Sequence, residues 1–350
     1  MLEPRVWFNR TFSSVYNVIR LLRDPQAPVR AHVFCTHLNP DFVGFEVSDS
    51  AALEPAALSE SDYVDWCLET CKRRDVEVLV PGRAAIAIAA RREEFERLGI
   101  RLLLAASADA MELFEDKPRF GRELSPVVAV VPRFEVVNTA AEFTAACARL
   151  QADGLPVCFK PGRSVGALGF RILDDERTDL QNLLGGEQIR ITTAMATSIL
   201  AAQPEFRDLL VMEYLDGAEY SIDCLARRGR LLRAVARRKP VRLGGSQLIE
   251  DRPDLLSLAE RMTASYELDS LFNIQVRDGA GVPKVLEINA RMSGGIYFAC
   301  LSGVNFPAWA VALALDAARE EDVPEPRLGL RVGQQFNEFT MRHAFAEDAV

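Results

Sequence analysis

The chain is poor in the residues that build metal and redox centres. It has three histidines in 350 residues, and His32, His37 and His343 show no metal-ligand spacing. Its seven cysteines are scattered, with no C-x-x-C pair. Several, such as Cys67 and Cys71, fall on apolar helix positions, so they read as buried free thiols in a reducing cytoplasm. Long apolar runs are absent too. A stretch such as Pro126 to Pro132 is far too short to cross a bilayer, and the opening MLEPRVWFNR lacks the charged-then-apolar pattern of a secretion signal. Positive charge is in deficit: 41 Lys and Arg stand against 50 Asp and Glu, for a net charge of −9. That excludes a basic nucleic-acid-binding surface but leaves room for a local positive pocket. The first expected strand, Arg5 to Phe8, runs into Asn9-Arg-Thr-Phe-Ser-Ser without a glycine fingerprint, which excludes a Rossmann-type dehydrogenase. There is no internal repeat and no low-complexity tract.

What is present suits a globular protein of two or three domains: 49% hydrophobic and 26% charged residues. The first hundred residues alternate strand and helix. Strands are expected at Arg5 to Phe8, Ala31 to Cys35, Val76 to Val80 and Arg101 to Leu104. Helical spacing runs through Val15, Val18, Ile19 and Leu22, with Ser13 or Ser14 as cap, and through Val64, Cys67, Leu68 and Cys71. Such alternation implies a parallel sheet covered on both faces. Ligand loops belong at the carboxyl ends of its strands, which nominates Asn9 to Ser14 and Pro81 to Ala84.

From Ser107 the pattern changes. Val127 to Val131 reads as a strand, and Thr139 to Glu142 as a capping box opening a helix with Phe143, Cys147 and Leu150 on one side. Further strands are expected at Val157 to Lys160, Phe170 to Leu173, Leu209 to Tyr214, Glu219 to Ala226 and Leu231 to Arg238. Leu255, Leu256, Ala259, Met262 and Tyr266 mark an amphipathic helix. Phe306 to about Ala317 reads as another helix, and Leu330 to Phe339 as a last strand.

The segment Phe272 to Gly295, FNIQVRDGAGVPKVLEINARMSGG, reads as two short strands joined by a turn at Asp278-Gly279-Ala280-Gly281. Glu287 and Asn289, two apart, point to one face of a strand. A turn centred near Ala280 puts Gln275 on that face of the partner strand. Oxygen-bearing side chains beside Arg291 suit a hard cation and a transferring phosphoryl group. Upstream, Lys117 follows Phe114-Glu115-Asp116. Lys160 ends an apolar strand, where an ammonium has to be paired or functional. The loop after it carries Gly162, Gly166 and Gly169, and glycine lets backbone amides approach phosphate closely. Met212-Glu213-Tyr214-Leu215 precedes Gly217-Ala218-Glu219.

Taken in order, Lys117, Lys160, Glu213, Glu219, Gln275, Glu287, Asn289 and Arg291 resemble the ATP-grasp superfamily. The similarity is greatest to its amide- and carbamoyl-forming branch, such as the large subunit of carbamoyl phosphate synthetase. It covers roughly Ser107 to Ala317. The resemblance implies an α/β chain, α+β within the lobes: an ATP-grasp fold preceded by a Rossmann-like pre-ATP-grasp domain. The implied divisions are 1–106, 107–212 and 213–350. It implies ATP as nucleotide and Mg²⁺ (or Mn²⁺) held by Gln275, Glu287 and Asn289. Lys117, Lys160, Gly166 and Gly169 then meet phosphates, the Glu213-Tyr214-Leu215 backbone reads adenine, Glu219 holds the ribose, and Arg291 with Lys160 is catalytic. The loop departs from the family in having Val165 and Leu168 where smaller residues are common.

The implied reaction activates a small-molecule carboxylate as an acylphosphate and couples it to an amine, in the cytoplasm, with no nucleic-acid or membrane partner; a homodimer stays open. Two other readings remain: a carboxyphosphate- or carbamoyl-forming enzyme, and an ATP-binding regulatory module without turnover. Acceptor specificity is expected in Asn9 to Ser14, Arg83, Arg242 to Ser246 and Ser293 to Tyr297. Arg237, Arg238 and Lys239 compete for the end of the site that meets the phosphoryl or carboxylate group.

Overall fold

The computed structural model describes residues 2–162, 168–184, 189–240, 244–335 and 337–341. Gly166, Val165, Arg242 and His343 lie outside them. The first sheet holds β1 (Arg5–Asn9), β2 (His32–His37), β3 (Ser50–Leu53), β4 (Val78–Pro81) and β5 (Arg101–Leu102), in the order β3-β2-β1-β4-β5. All its pairings are parallel, as the strand–helix alternation requires. Helices α1 (Val15–Leu21), α2 (Glu60–Arg74), α3 (Ala85–Ala90) and α4 (Arg92–Arg97) connect it. Ser59 caps α2 by accepting from Asp62 N at 3.2 Å. The helix then buries Tyr63, Val64, Cys67, Leu68 and Cys71, a 3.6-residue stripe. Ser14 occupies the N-cap position of α1 but is itself helical and makes no side-chain cap bond.

The second sheet holds β6 (Phe134–Val137), β7 (Val157–Pro161), β8 (Arg171–Leu173), β9 (Arg190–Ile191) and β10 (Leu209–Glu213), ordered β6-β10-β7-β8-β9. With it go α5 (Ala108–Glu115), α6 (Lys117–Glu123), α7 (Ala140–Ala152), α8 (Asp179–Leu184) and α9 (Thr193–Leu200). Thr139 Oγ1 accepts from Glu142 N, while Glu142 reaches back to Asn138 N at 3.0 Å, one residue beyond the usual capping-box partner. The expected strand at Val127 to Val131 is not formed. Ser125 O takes the amides of Val128 and Ala129 in a turn, and only Val130 makes a bridge, to Lys284. Pro126 and Pro132 bracket the segment, and proline cannot donate to a ladder.

The third sheet holds β11 (Glu219–Arg227), β12 (Arg230–Arg238), β13 (Gln247–Glu250), β14 (Ser270–Gly279), β15 (Val282–Asn289) and β16 (Leu330–Val332), ordered β15-β14-β11-β12-β13-β16. Helices α10 (Pro253–Ser265), α11 (Ile296–Cys300) and α12 (Phe306–Ala314) complete the chain. Ala280 and Gly281 have φ of +50° and +79°. They are the two central residues of the β14–β15 turn, and positive φ at both is what matches a hairpin's twist. The last strand covers only the start of Leu330 to Phe339.

The chain forms two compact units. One comprises residues 1–112, 220–275 and 288–350, the other 113–219 and 276–287. In the first, a single apolar core runs from Val6, Phe8 and Val33 to Ile296, Phe306 and Val311. In the second, Phe143, Cys147 and Leu150 of α7 pack on Val157, Phe159 and Val211. No helix among the described residues is long and apolar enough to cross a membrane.

One polar contact fixes the loops at the carboxyl ends of β1 and β4. The fully buried Asn9 accepts from Gly82 N at 2.6 Å and Arg83 N at 3.4 Å, and donates to Arg83 O. Gly82 lies so close that a Cβ there would meet the carbonyls of Asn9 and Arg10 at 2.5 Å. Replacing Asn9 with Ala leaves the Arg83 amide without its acceptor and the Gly82 amide with the Asn9 carbonyl alone, and should cost about 1–3 kcal/mol. A lower urea midpoint checks this; an unchanged midpoint refutes it.

Candidate active site

In the second unit, one carboxylate pairs with Lys117 and acts electrostatically on Lys160. Asp116 caps α6 by accepting from Arg119 N at 3.0 Å. Lys117, the helix's first residue, then puts Nζ 3.5 Å from Glu287 Oε2, with both side chains mostly shielded from water. Lys160 lies on β7 and also feels Glu287 and Lys117. Burial pulls the Lys160 ammonium below the ordinary lysine range; Glu287 and Glu219 oppose that shift and Lys117 adds to it. Among the described residues no acid comes within ion-pair distance of Lys160. A shielded ammonium in that position suits an anionic ligand. Gly169, beyond the loop, has φ +78° and rests on Pro161, where a Cβ would meet the ring at 2.7 Å.

Glu213 is different. Its carboxylate is buried at the end of β10, where it accepts from Arg133 N at 3.0 Å and pairs with Lys284. Tyr214 N donates to Pro156 O at 2.7 Å, and Leu215 packs against Gly279. Arg277 lies over the Tyr214 ring at 5.0 Å, donates to its hydroxyl and to Gly217 O, and stands 3.8 Å from Glu219. Lys284 and Arg277 went unread in the sequence. Each is a lone cation on a hairpin strand, and only the fold reveals which acid it faces.

In the first unit, Gln275 Oε1 accepts from Lys239 Nζ at 3.2 Å. Arg291 donates to Asn289 Oδ1 at 3.2 Å and to Met292 O, and its guanidinium lies over the Phe12 ring at 4.7 Å. Thr11, Phe12, Pro81 and Gly82 line one small cavity with Arg291 and Met292. The expected N-terminal ligand loops and the expected catalytic arginine therefore share a surface.

Of the three basic candidates at the end of β12, Arg237 and Arg238 on the strand and Lys239 just past it, each meets a different partner. Arg237 is 2% exposed. It donates to Asp223 Oδ2 at 2.7 Å, Ser221 Oγ at 3.1 Å and Ser293 Oγ at 3.2 Å, and also to Gln247. Asp223 in turn accepts from Ser293 Oγ and Asn273 Nδ2. Arg238 pairs with Glu250 at 3.1 Å, and Lys239 is the one on Gln275. Asp223 and Asn273 were missed, although a carboxylate inside the apolar run Ile222-Asp223-Cys224 demands a partner.

Comparison with known proteins bears on the family and the fold. Residues 205–337 match a family profile described as ATP-grasp in the biosynthetic pathway with Ter operon. The carbamoyl phosphate synthase large chain of Clostridium beijerinckii is 24% identical over 298 residues, covering 81% of this chain and 26% of that protein. The chain thus spans about a quarter of the length of that curated relative. Among solved structures, the ADP complex of PurK, an N5-carboxyaminoimidazole ribonucleotide synthetase, superposes with a TM-score of 0.65 at 11% identity, over 95% of this chain and 81% of that one. An L-amino acid ligase from Bacillus licheniformis gives 0.62 at 16% identity, over 93% and 78%. The α/β fold expected from the sequence is the fold of these enzymes.

Lys160 leads to a stability prediction. Its lowered value means the folded state is penalised while the ammonium is charged at neutral pH. The penalty fades as pH rises through the lowered value toward the ordinary lysine range. Lys160→Met should therefore raise the thermal midpoint at pH 7, with the gain shrinking in alkaline buffer. A midpoint that falls at pH 7 would refute the reading of Lys160 as a strained, ligand-seeking charge.

Proposed function

We propose that this chain, a member of the ATP-grasp family, is an ATP-dependent carbon–nitrogen ligase. It activates a small-molecule carboxylate as an acylphosphate and joins it to an amine, releasing ADP and phosphate. The observation that carries the reading is Lys160: a shielded ammonium without an ion-pair partner among the described residues, sharing Glu287 with Lys117. A triphosphate supplies the missing negative charge.

Within this proposal Lys117 and Lys160 bind phosphate oxygens, together with the backbone at Gly166 and Gly169. The Glu213-Tyr214-Leu215 backbone meets the adenine edge. Glu219, steadied by Arg277, takes the ribose hydroxyls. The domain reading is 1–106, 107–212 and 213–350. Gln275, Glu287 and Asn289 hold magnesium. They offer one carboxylate and two amide oxygens, hard donors of the kind Mg²⁺ takes alongside substrate phosphates, and both amide oxygens already accept hydrogen bonds from cations. When bound, such an ion would supply positive charge against the substrate's phosphates. Arg291, braced by Asn289 and Phe12, faces the negative charge that develops on the acylphosphate and on the tetrahedral adduct. No side chain need act as a covalent nucleophile; positioning and charge neutralisation carry the chemistry. All seven cysteines are buried and unpaired, which suits a reducing, cytoplasmic setting.

The large-chain relative supports one alternative, in which bicarbonate is the acid and a carboxyphosphate forms. Both readings meet the same test. Phosphate release should appear on mixing the protein with ATP, Mg²⁺ and a panel of amino acids, other carboxylates and bicarbonate. A response to bicarbonate alone selects the alternative, and no response to any acid sinks both. Glu287→Ala should lower turnover by about 10²-fold or more while circular dichroism stays unchanged. Normal turnover in that variant removes Glu287 from the metal site.

A further inference from the structure

The loops at the carboxyl ends of β1 and β4 carry two arginines on one aromatic ring. Arg83 lies 4.4 Å from the Tyr63 ring centre and Arg10 lies 5.8 Å from it. A buried acid serves Arg10. Glu54, itself buried, accepts from Arg10 Nε at 2.9 Å and from Thr36 Oγ1 at 2.9 Å, and Thr36 accepts from Trp7 Nε1. Arg10 Nη2 is buried without a hydrogen-bond partner. Among the described residues the Arg83 guanidinium forms no ion pair and no hydrogen bond; only its backbone is tied, to Asn9. Glu54 thus answers Arg10 alone, and among the described residues the Arg83 charge and several N–H donors stay uncompensated.

The backbone adds an independent sign. Arg10 has φ +25° and Ala84, next to Arg83, has φ +53°. Residues without glycine's freedom stay in that region only when their surroundings hold them there, and such sites concentrate where function needs a fixed geometry. Here the Trp7–Thr36–Glu54 chain holds Arg10, and Asn9 holds the Arg83 backbone.

We propose that Arg10 and Arg83, stacked on Tyr63, form a receptor for an oxyanion group, carboxylate or phosphate, borne by the substrate at a distance from its reacting end. The guanidinium fork matches such a group in two parallel hydrogen bonds. Position says which molecule it serves. Thr11, Phe12 and Gly82, the residues adjoining the two arginines, line the cavity that also contains Arg291. The anion anchors one end of the substrate while the other reaches toward Arg291. The substrate class is therefore a small molecule with a second anionic group, such as a dicarboxylate, an acidic amino acid or a phosphorylated acid. This assignment rests on the ligase reading for its choice of substrate, but anion binding itself does not need ATP.

The test is calorimetry on the full chain without nucleotide. The probes are glutarate, succinate, L-glutamate and inorganic phosphate, with glutaramide as the uncharged control; Mg–ADP is titrated separately. Wild type should bind at least one anion saturably and not the diamide. Phosphate as the tightest probe assigns a phosphorylated substrate, and a dicarboxylate as the tightest assigns an acid. Arg83→Gln should weaken that anion by about tenfold or more, the loss of a charge-assisted contact, with Mg–ADP affinity retained. Arg10→Lys, which keeps the pairing with Glu54, should weaken it as well by removing the fork. No saturable binding of any probe to wild type, or equal binding to Arg83→Gln, overturns the receptor. A wild type that binds glutarate but not Mg–ADP upholds the receptor and sinks the ligase reading instead.

Discussion

A charge withdrawn from water must meet its opposite, and this chain meets that demand in two distinct ways. Some buried charges are closed within the protein. Glu213 has Lys284 and the Arg133 amide; Asp223 has Arg237, Ser293 and Asn273. Such closed pairs hold strands and loops in place and ask nothing of a ligand. Lys160 is left open. It shares Glu287 with Lys117, and burial already lowers its affinity for a proton. The contrast separates structural ions from ligand-seeking ones, and the nucleotide reading depends on Lys160 being of the second kind.

That distinction was only half legible in the sequence. A lysine closing the apolar strand Val157-Cys158-Phe159 announced a paired or functional ammonium, and the structure leaves it without an ion-pair partner among the described residues. The Ala280-Gly281 turn and the two strands around it followed from local rules, because a tight hairpin needs positive φ where small residues stand. Partners were another matter. Arg277 and Lys284 meet Glu219 and Glu213 across sequence gaps that no periodicity spans. The strand expected at Val127 to Val131 failed for a related reason: apolar β-branched residues signal a strand, but two prolines and a turn at Ser125 take away the donors a ladder requires.

The N-terminal sheet shows the same division between position and partner. Strand–helix alternation was enough to nominate the ends of β1 and β4 as ligand loops, and Asn9 joins those two loops in the structure. Glu54 stayed unread because β3, Ser50–Leu53, is short and built of Ser-Ala-Ala-Leu, with no apolar pattern to betray it. Without β3 there was no way to foresee that Arg10 would spend one edge of its guanidinium on a buried acid, nor that Arg83 would keep its own uncommitted.

The strand pleat settles what Arg237 does. In the antiparallel register Arg237 stands opposite Ser221, so its side chain shares a face with Ser221 and Asp223, while Arg238 turns to the other face and finds Glu250. Arg237 is almost wholly enclosed, and its donors go to Asp223, Gln247, Ser221 and Ser293. A Cβ on Gly295 would meet its guanidinium at 2.9 Å, so glycine at that position lets the backbone close over the ion pair. Ser293 and Gly295 follow directly on Asn289 and Arg291. The buried pair therefore acts on the site at one remove: it pins the loop that leaves β15, and with it the direction in which Arg291 points. A guanidinium so fully committed is poorly placed to follow charge moving through a reaction, whereas Arg291, which touches Asn289, the Met292 carbonyl and the face of Phe12, borders a cavity.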